Sequence, residues 1–187
     1  MDSQDIYIQK IEAAFDLIKQ SNIDMINLWL KDTLFTWEWW LGVALAIIPW
    51  VVWLIFRKKE STNRLLFAGF FVILISSWFE ILGILFGLWS YHHNVVPFSP
   101  AFIPWDFTLL PVAIMTLLQF KPHIRPIYKA ITFSLLSCFV VEPGFVLIGL
   151  YNPKHWEYIY SFPIIIIIYL VADWCYKRRH FENSDMT

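Results

Sequence analysis

The side chains best placed to do chemistry are acids inside otherwise apolar sequence. Glu80 lies in FEILGILFGLW and Glu142 in VEPGFVLIGLY. An acid in the middle of a membrane helix costs roughly 2.5 to 3.5 kcal/mol on insertion scales, so each needs a partner or a task. In both segments Glu is followed seven residues later by Gly, then Leu, then an aromatic, which is Trp89 in one and Tyr151 in the other. Two carboxyls brought together in low dielectric cannot both ionise cheaply, and such a pair can shuttle a proton, protonate a polyene or hold a cation. In the competing reading each Glu bonds a neighbouring Trp, Tyr or Ser and ties helices together.

Asp106 follows Pro104 and Trp105 at the head of a later apolar segment. There it can act as a third pocket acid, or simply favour the positive end of a helix dipole, as Glu38 does near its own helix start. Glu80, Glu142 and Asp106 are therefore the candidate proton donors. The aromatic and imidazole groups beside them, Trp89, Tyr91, His92, Trp105, Tyr151 and His155, are the candidate ligand contacts. No metal is expected, since the adjacent pair His92 and His93 cannot easily share one centre and no H-x-x-x-H spacing occurs. Cys138 and Cys175 form no CxxC pair and read as small apolar fillers. Phosphate-binding and nucleophile-elbow motifs are absent, and no cofactor is implied.

The elements that hold these residues must sit in a bilayer. Of 187 residues, 58% are apolar and only 16% charged, whereas a water-soluble domain is nearer half apolar and a quarter charged. This composition excludes a soluble enzyme, a disordered chain, a nucleic-acid binder and a disulfide-stapled module. Crossing about 30 Å of hydrocarbon takes roughly 17 to 25 apolar residues. Five segments qualify or nearly so, at 37–56, 65–88, 105–120, 127–150 and 158–176. The third is short and contains Pro111, so it must kink, thin the membrane or lie partly inside protein; four crossings plus a re-entrant segment is the alternative.

Positively charged loops stay on the cytoplasmic side. Arg57, Lys58, Lys59 and Arg64 follow the first span, Lys121, Arg125 and Lys129 the third, and Lys177, Arg178 and Arg179 the fifth. The loop 89–104 has no Lys or Arg, and 151–157 has only Lys154. The C-terminus, with the tail 181–187, is thus expected inside and the N-terminus outside. Residues 5–32 read as an amphipathic helix through Ile8, Ile11, Phe15, Ile18, Asn22, Met25 and Trp29, at alternating spacings of three and four. It would lie on the outer membrane face, pack over the other helices, or self-associate through that seam with Asn22 setting register. Most tryptophans fall near expected interfaces, Trp37, Trp39, Trp40, Trp89, Trp105 and Trp156 outside and Trp53 and Trp174 inside, where headgroup anchoring would explain them.

The matching surroundings of Glu80 and Glu142 make spans two and three, and four and five, a tandem repeat in one orientation. Its two acids would converge on one cavity. The fold class is therefore all-α, a polytopic helical bundle of about five transmembrane helices with a tandem two-helix repeat and an N-terminal amphipathic helix.

Through FTWEWWLGVALAIIPWVVW, FEILGILFGLWSY, IPWDFTLLPV, VEPGFVLIGLY and WEYIYSFP, roughly residues 35–176, the chain resembles a family of small multi-pass membrane proteins of spore-forming bacilli. That resemblance implies a sporulating plasma membrane and no activity. Glu80, Gly87, Trp89 and Tyr91, with Pro104, Trp105 and Asp106, also resemble the membrane-embedded lycopene cyclase domain, whose acids are thought to protonate the end of a polyene. Three functions follow. One is a sporulation-associated component or a binder of a small ligand or lipid. A second is an isoprenoid-modifying enzyme using Glu80, Asp106 and Glu142 as acids, weakened by Phe107 where that family carries another acid. The third is proton or cation transport, weakened by the scarcity of ionisable groups in the inner halves of the spans. The expected partners are membrane lipids, with a lipid or isoprenoid ligand, self-association through 5–32, and no nucleic acid.

Overall fold

The computed structural model describes residues 3–97 and 101–178. Helix α1 (Ser3–Leu28) runs into a wide π-helical turn at Trp29–Thr33. Thr36 then caps α2 (Trp37–Phe56), its hydroxyl accepting the Trp39 N–H at 3.3 Å, with Glu38 in the first turn as the dipole favours. After a basic loop come α3 (Thr62–Leu85), a short strand β1 (Ser90–Tyr91) and a π-helical turn at Pro104–Leu109 that continues as α4 (Leu110–Gln119). Helix α5 (Pro126–Leu136) passes through a third π-helical turn, Ser137–Val141, into α6 (Glu142–Leu147); strand β2 (Tyr151–Asn152) and α7 (Tyr158–Tyr176) complete the described chain.

Four helices are long and apolar enough to cross a membrane: Trp37–Phe56, Lys59–Leu85, Pro126–Leu147 and Tyr158–Tyr176. The second and third end three residues before the expected 88 and 150, because the chain turns at Gly87 and Gly149. The segment at 105–120 is helical from Pro104 to Gln119 but shorter than these four. It lies inside protein, with Leu110, Ile114, Met115 and Leu118 all buried. Pro111 cannot donate to the Phe107 carbonyl one turn back. The Trp50 indole donates there instead at 2.9 Å, and Thr108 donates to the Ala46 carbonyl at 3.0 Å, so α2 is fastened along this segment.

Helix α7 packs against α3 and α5, and α3 also packs against α4. Ser134 on α5 donates to the Phe162 carbonyl on α7 at 2.6 Å. The core between these helices contains Leu65, Val72, Met115, Ile168 and Tyr169. Cys138 and Cys175 are buried free thiols within it, as fillers should be. Trp53 corrects the anchoring expectation: it is 2% exposed, a core residue rather than an interfacial one. Trp37, Trp40 and Trp174 do remain exposed.

The basic loops gather at one end of the bundle. The Lys58 N–H donates to Gln119 Oε1 at 3.1 Å, Arg64 stacks on Tyr176, and Lys129 donates to the carbonyls of Leu117 in the last turn of α4 and of Phe120 just beyond it, at 2.8 and 2.6 Å. Lys177 pairs with Asp173 one turn back at 2.6 Å, the expected structural pair. Arg179 and the tail 181–187 lie outside the described residues. Helix α1 stands apart, burying none of its residues, with Ile8, Phe15, Ile18 and Met25 exposed along the seam. Of the arrangements expected for it, packing over the other helices is therefore not found. Its end is pinned where Trp29 donates to the Asn94 carbonyl at 2.8 Å.

Candidate functional site: an acid-lined aromatic cavity

The site is built by two helix ends that stop in the same way. Gly87 and Gly149 take positive φ of 67° and 75°, a region open to glycine without the Cβ clash other residues meet. At the first, Leu88 N–H donates to the Gly83 carbonyl and Gly87 N–H to Ile84; at the second, Leu150 N–H donates to Phe145 and Gly149 N–H to Val146. Both are Schellman caps, which satisfy the last carbonyls and turn the chain sharply back over the helix. The next residues form β1 and β2, which pair antiparallel with Ser90 opposite Asn152 and Tyr91 opposite Tyr151. A bond from the His155 N–H to the Leu88 carbonyl at 2.9 Å extends this clasp.

Beneath the clasp is a cavity of about 100 Å³, and Glu80, Asp106 and Glu142 all line it. At roughly 10–15 Å³ for each water-sized site, it has room for several waters or one ring-sized organic group. Its walls include Trp89, Tyr91, Phe102, Trp105, Phe145, Tyr151 and Trp156, with Ser76 and Ser161 as the aliphatic hydroxyls; no Lys, Arg or His lines it.

The three acids are held differently. Glu80 is 6% exposed, and its Oε1 accepts the Trp89 indole N–H at 2.7 Å. The indole reaches it only because residue 83 is glycine: a Cβ there would lie 1.9 Å from the Trp89 ring. Asp106 is 2% exposed, and its Oδ2 accepts the Phe102 N–H at 3.1 Å, the back-reaching bond of an acid at a helix start. The two placements coincide for Asp106, an acid in the first helical turn that also lines the cavity. The π-helical turn at Pro104–Leu109 carries it there, and the one at Ser137–Val141 immediately precedes Glu142; such bulges re-aim side chains that a regular helix would direct elsewhere. Glu142 Oε2 is buried and has no hydrogen-bond partner among the described residues.

The aromatic walls are ordered. Tyr91 stacks on Phe102 with centroids 4.4 Å apart and planes at 2°, and lies 5.5 Å from Tyr151. Trp89 meets Trp156 edge to face at 4.9 Å, and the Trp156 indole donates to Ser161 Oγ at 2.9 Å. Burial first, then neighbouring carboxyls, pushes the Tyr91 and Tyr151 phenols well above their usual range.

Of the residues expected at the site, Glu80, Asp106, Glu142, Trp89, Tyr91, Trp105 and Tyr151 come together. His92 and His155 do not line the cavity; both are exposed on the loops above it. Trp89 is a cavity wall rather than a headgroup anchor. Sequence reasoning missed Gly83, Phe102, Phe145, Trp156 and Ser161. Only Gly83 carried a signal, an interruption of an apolar span three residues after its acid. No group of three or more metal-binding side chains occurs among the described residues. A second hollow lies between the end of α1 and the strands, lined by Trp29, Thr33, Tyr91, His92, Asn94 and Lys154 among others. Compared with protein-family models, characterised proteins and solved structures, the chain matches none.

Proposed function

We propose that this chain is a plasma-membrane protein of a bacterium, with its N-terminus outside and its C-terminus in the cytoplasm, whose cavity beneath the outer face binds a small organic or lipid-like ligand. The observation that carries this reading is the convergence of Glu80, Asp106 and Glu142, from three separate segments, on one aromatic-walled cavity lined by no Lys, Arg or His. Burying three unbalanced acids costs stability. Arrangements that lower stability while defining a recess are the usual mark of a binding site.

The orientation rests on the collection of Arg57, Lys58, Lys59, Arg64, Lys121, Arg125, Lys129, Lys177 and Arg178 at the end away from the cavity. Five crossings are supported by the course of Pro104–Gln119, which starts beside the cavity acids and ends beside Lys58. The tandem repeat is supported by the clasp. Glu80 and Glu142, like Gly87 and Gly149, are 62 residues apart, and so are the directly paired Ser90 and Asn152. A twofold axis between those two strand residues would generate this register.

Extraction and mass spectrometry of the purified protein test the reading. A small molecule should accompany the wild type in stoichiometric amount and be lost from the Glu142→Gln and Asp106→Asn variants. Wild-type protein that folds but yields only bulk lipid, in the same proportions as those variants, refutes it. The resemblance to proteins of spore formers makes sporulation the setting in which to seek a deletion phenotype.

A second reading, protonation of an isoprenoid double bond, is favoured by one feature: Asp106 joins both glutamates at the same cavity, as the cyclase resemblance implies. Expression in a lycopene-producing host should then shift the pigment spectrum, and an unchanged spectrum removes this version.

A further inference from the structure

Tyr91 lines both the acid cavity and the hollow above it, so one phenol ring separates the two spaces. The polar groups they present are of opposite kind. The cavity presents three carboxyl groups and no basic residue. The hollow presents Lys154, His92 and the amides of Asn94 and Asn152, and no carboxylate. Lys154 forms no ion pair among the described residues. Each space holds one buried acceptor without a partner among the described residues, Glu142 Oε2 in the cavity and Asn94 Oδ1 in the hollow.

We infer that the cavity and the hollow together bind one bipolar ligand, an organic ammonium group joined by a short spacer to a phosphate or carboxylate. This deepens the ligand-binding reading and rests on it. The ammonium end enters the cavity. There the carboxyls balance its charge, and the rings of Trp89, Trp105 and Trp156 that line the cavity replace its water, the combination by which aromatic cages hold quaternary ammonium ions. A cavity sized for one ring-sized group suits a trimethylammonium or primary ammonium head and excludes a long chain. The anionic end remains in the hollow, where Lys154 supplies a charge-assisted bond and Asn152 an amide donor. Placing the anion at the carboxyls would set like charges together, so the ligand has one orientation. Phosphocholine and phosphoethanolamine have this chemistry, either free or as the headgroup of a phospholipid.

The test uses the full chain in uncharged maltoside micelles, with calorimetric titration of four probes. Phosphocholine carries both charges, tetramethylammonium only the cation, inorganic phosphate only the anion, and 3,3-dimethylbutanol is choline's uncharged carbon counterpart. Phosphocholine should bind at least tenfold more tightly than any of the other three. Lys154→Gln should weaken phosphocholine about tenfold and leave tetramethylammonium unchanged. Glu142→Gln should weaken both cations and leave phosphate unchanged. Tighter binding of dihexanoyl-phosphatidylcholine than of phosphocholine assigns the ligand to a lipid headgroup, and the reverse order assigns it to a free solute. Equal binding of dimethylbutanol and tetramethylammonium, an unaltered affinity in Lys154→Gln, or no binding of any probe overturns the inference. A co-purifying neutral molecule that depends on Glu142 would sink this inference while leaving the ligand-binding reading intact.

Discussion

Replacing Gly83 by alanine tests whether the cavity is a built recess or a packing accident. The new Cβ would stand 1.9 Å from Cζ2 of Trp89, and 2.1 and 2.4 Å from two other atoms of the same ring. A carbon–carbon contact needs about 3.5 Å, so the indole must retreat by about 1.6 Å. That movement stretches the 2.7 Å bond from Trp89 to Glu80 beyond hydrogen-bonding range. The unpaired buried partners cost about 1–3 kcal/mol and the overpacked ring a similar amount, so a loss of about 3 kcal/mol is expected. For a chain of this length that corresponds to roughly 6–12 °C in melting temperature. Thermal unfolding of purified protein in detergent reads the loss, and near-ultraviolet circular dichroism reads the displaced indole. Gly144→Ala is the control, because its Cβ meets nothing within 4 Å. An alanine at 83 that melts with the wild type and keeps its dichroism would show that Trp89 does not depend on that gap, and the account of the cavity wall would fall.

Other substitutions probe the supports. Gly87→Ala and Gly149→Ala each force a side chain into positive φ and should cost about 1 kcal/mol by chemical unfolding, with Asn milder than Ala at both; equal stability of Ala and Gly would contradict the cap geometry. Trp50→Phe leaves the Phe107 carbonyl without a donor where Pro111 already lacks one, so a loss of about 1–3 kcal/mol is expected, and Trp50→Phe combined with Pro111→Ala should recover part of it. The Tyr91 and Tyr151 phenols titrate above their usual range. The native state therefore keeps protons that the unfolded chain releases near pH ~10. Their contribution is complete below that pH and is lost as pH rises through and beyond it. Tyrosinate absorbance should accordingly appear in at least two steps, the later coinciding with unfolding; one step at the ordinary value would contradict the burial.

The helices were legible because length and apolarity alone decide whether a segment can cross a bilayer, and 37–56 and 158–176 begin and end where expected. Asp173 with Lys177, and the two cysteines, followed from local rules of the same kind. What stayed hidden depends on pairing between distant segments. Trp53 carries the same signal as Trp174 at a span's end, yet one faces the core and the other stays exposed. No local pattern distinguishes them, since the difference is made by which helix packs alongside. His92 and His155 were grouped with the acids by nearness in sequence. The tight turn at each Schellman cap instead brings Tyr91 and Tyr151 over the cavity and leaves the imidazoles on its far side. Phe102, Trp156 and Ser161 lie in loops or helix starts whose course depends on that clasp.

On the proposed repeat, the differences between its two halves are informative. With an offset of 62, Gly83 corresponds to Phe145 and Trp89 to Tyr151. In the first half a missing side chain admits an indole, which occupies Glu80. In the second half the corresponding residues are Phe145, which packs on Phe102 and Trp105, and Tyr151, which has no indole N–H to give, and Glu142 Oε2 has no partner among the described residues. Asp106 is engaged by the Phe102 backbone. All three acids are thus tied to the framework, Glu142 through Ser161 on α7, and of the three only Glu142 has a buried oxygen, Oε2, without a partner among the described residues. On the proposed repeat, a strictly symmetric pair would have bound each acid alike, so the difference between residues 83 and 145 goes with the different bonding of Glu80 and Glu142.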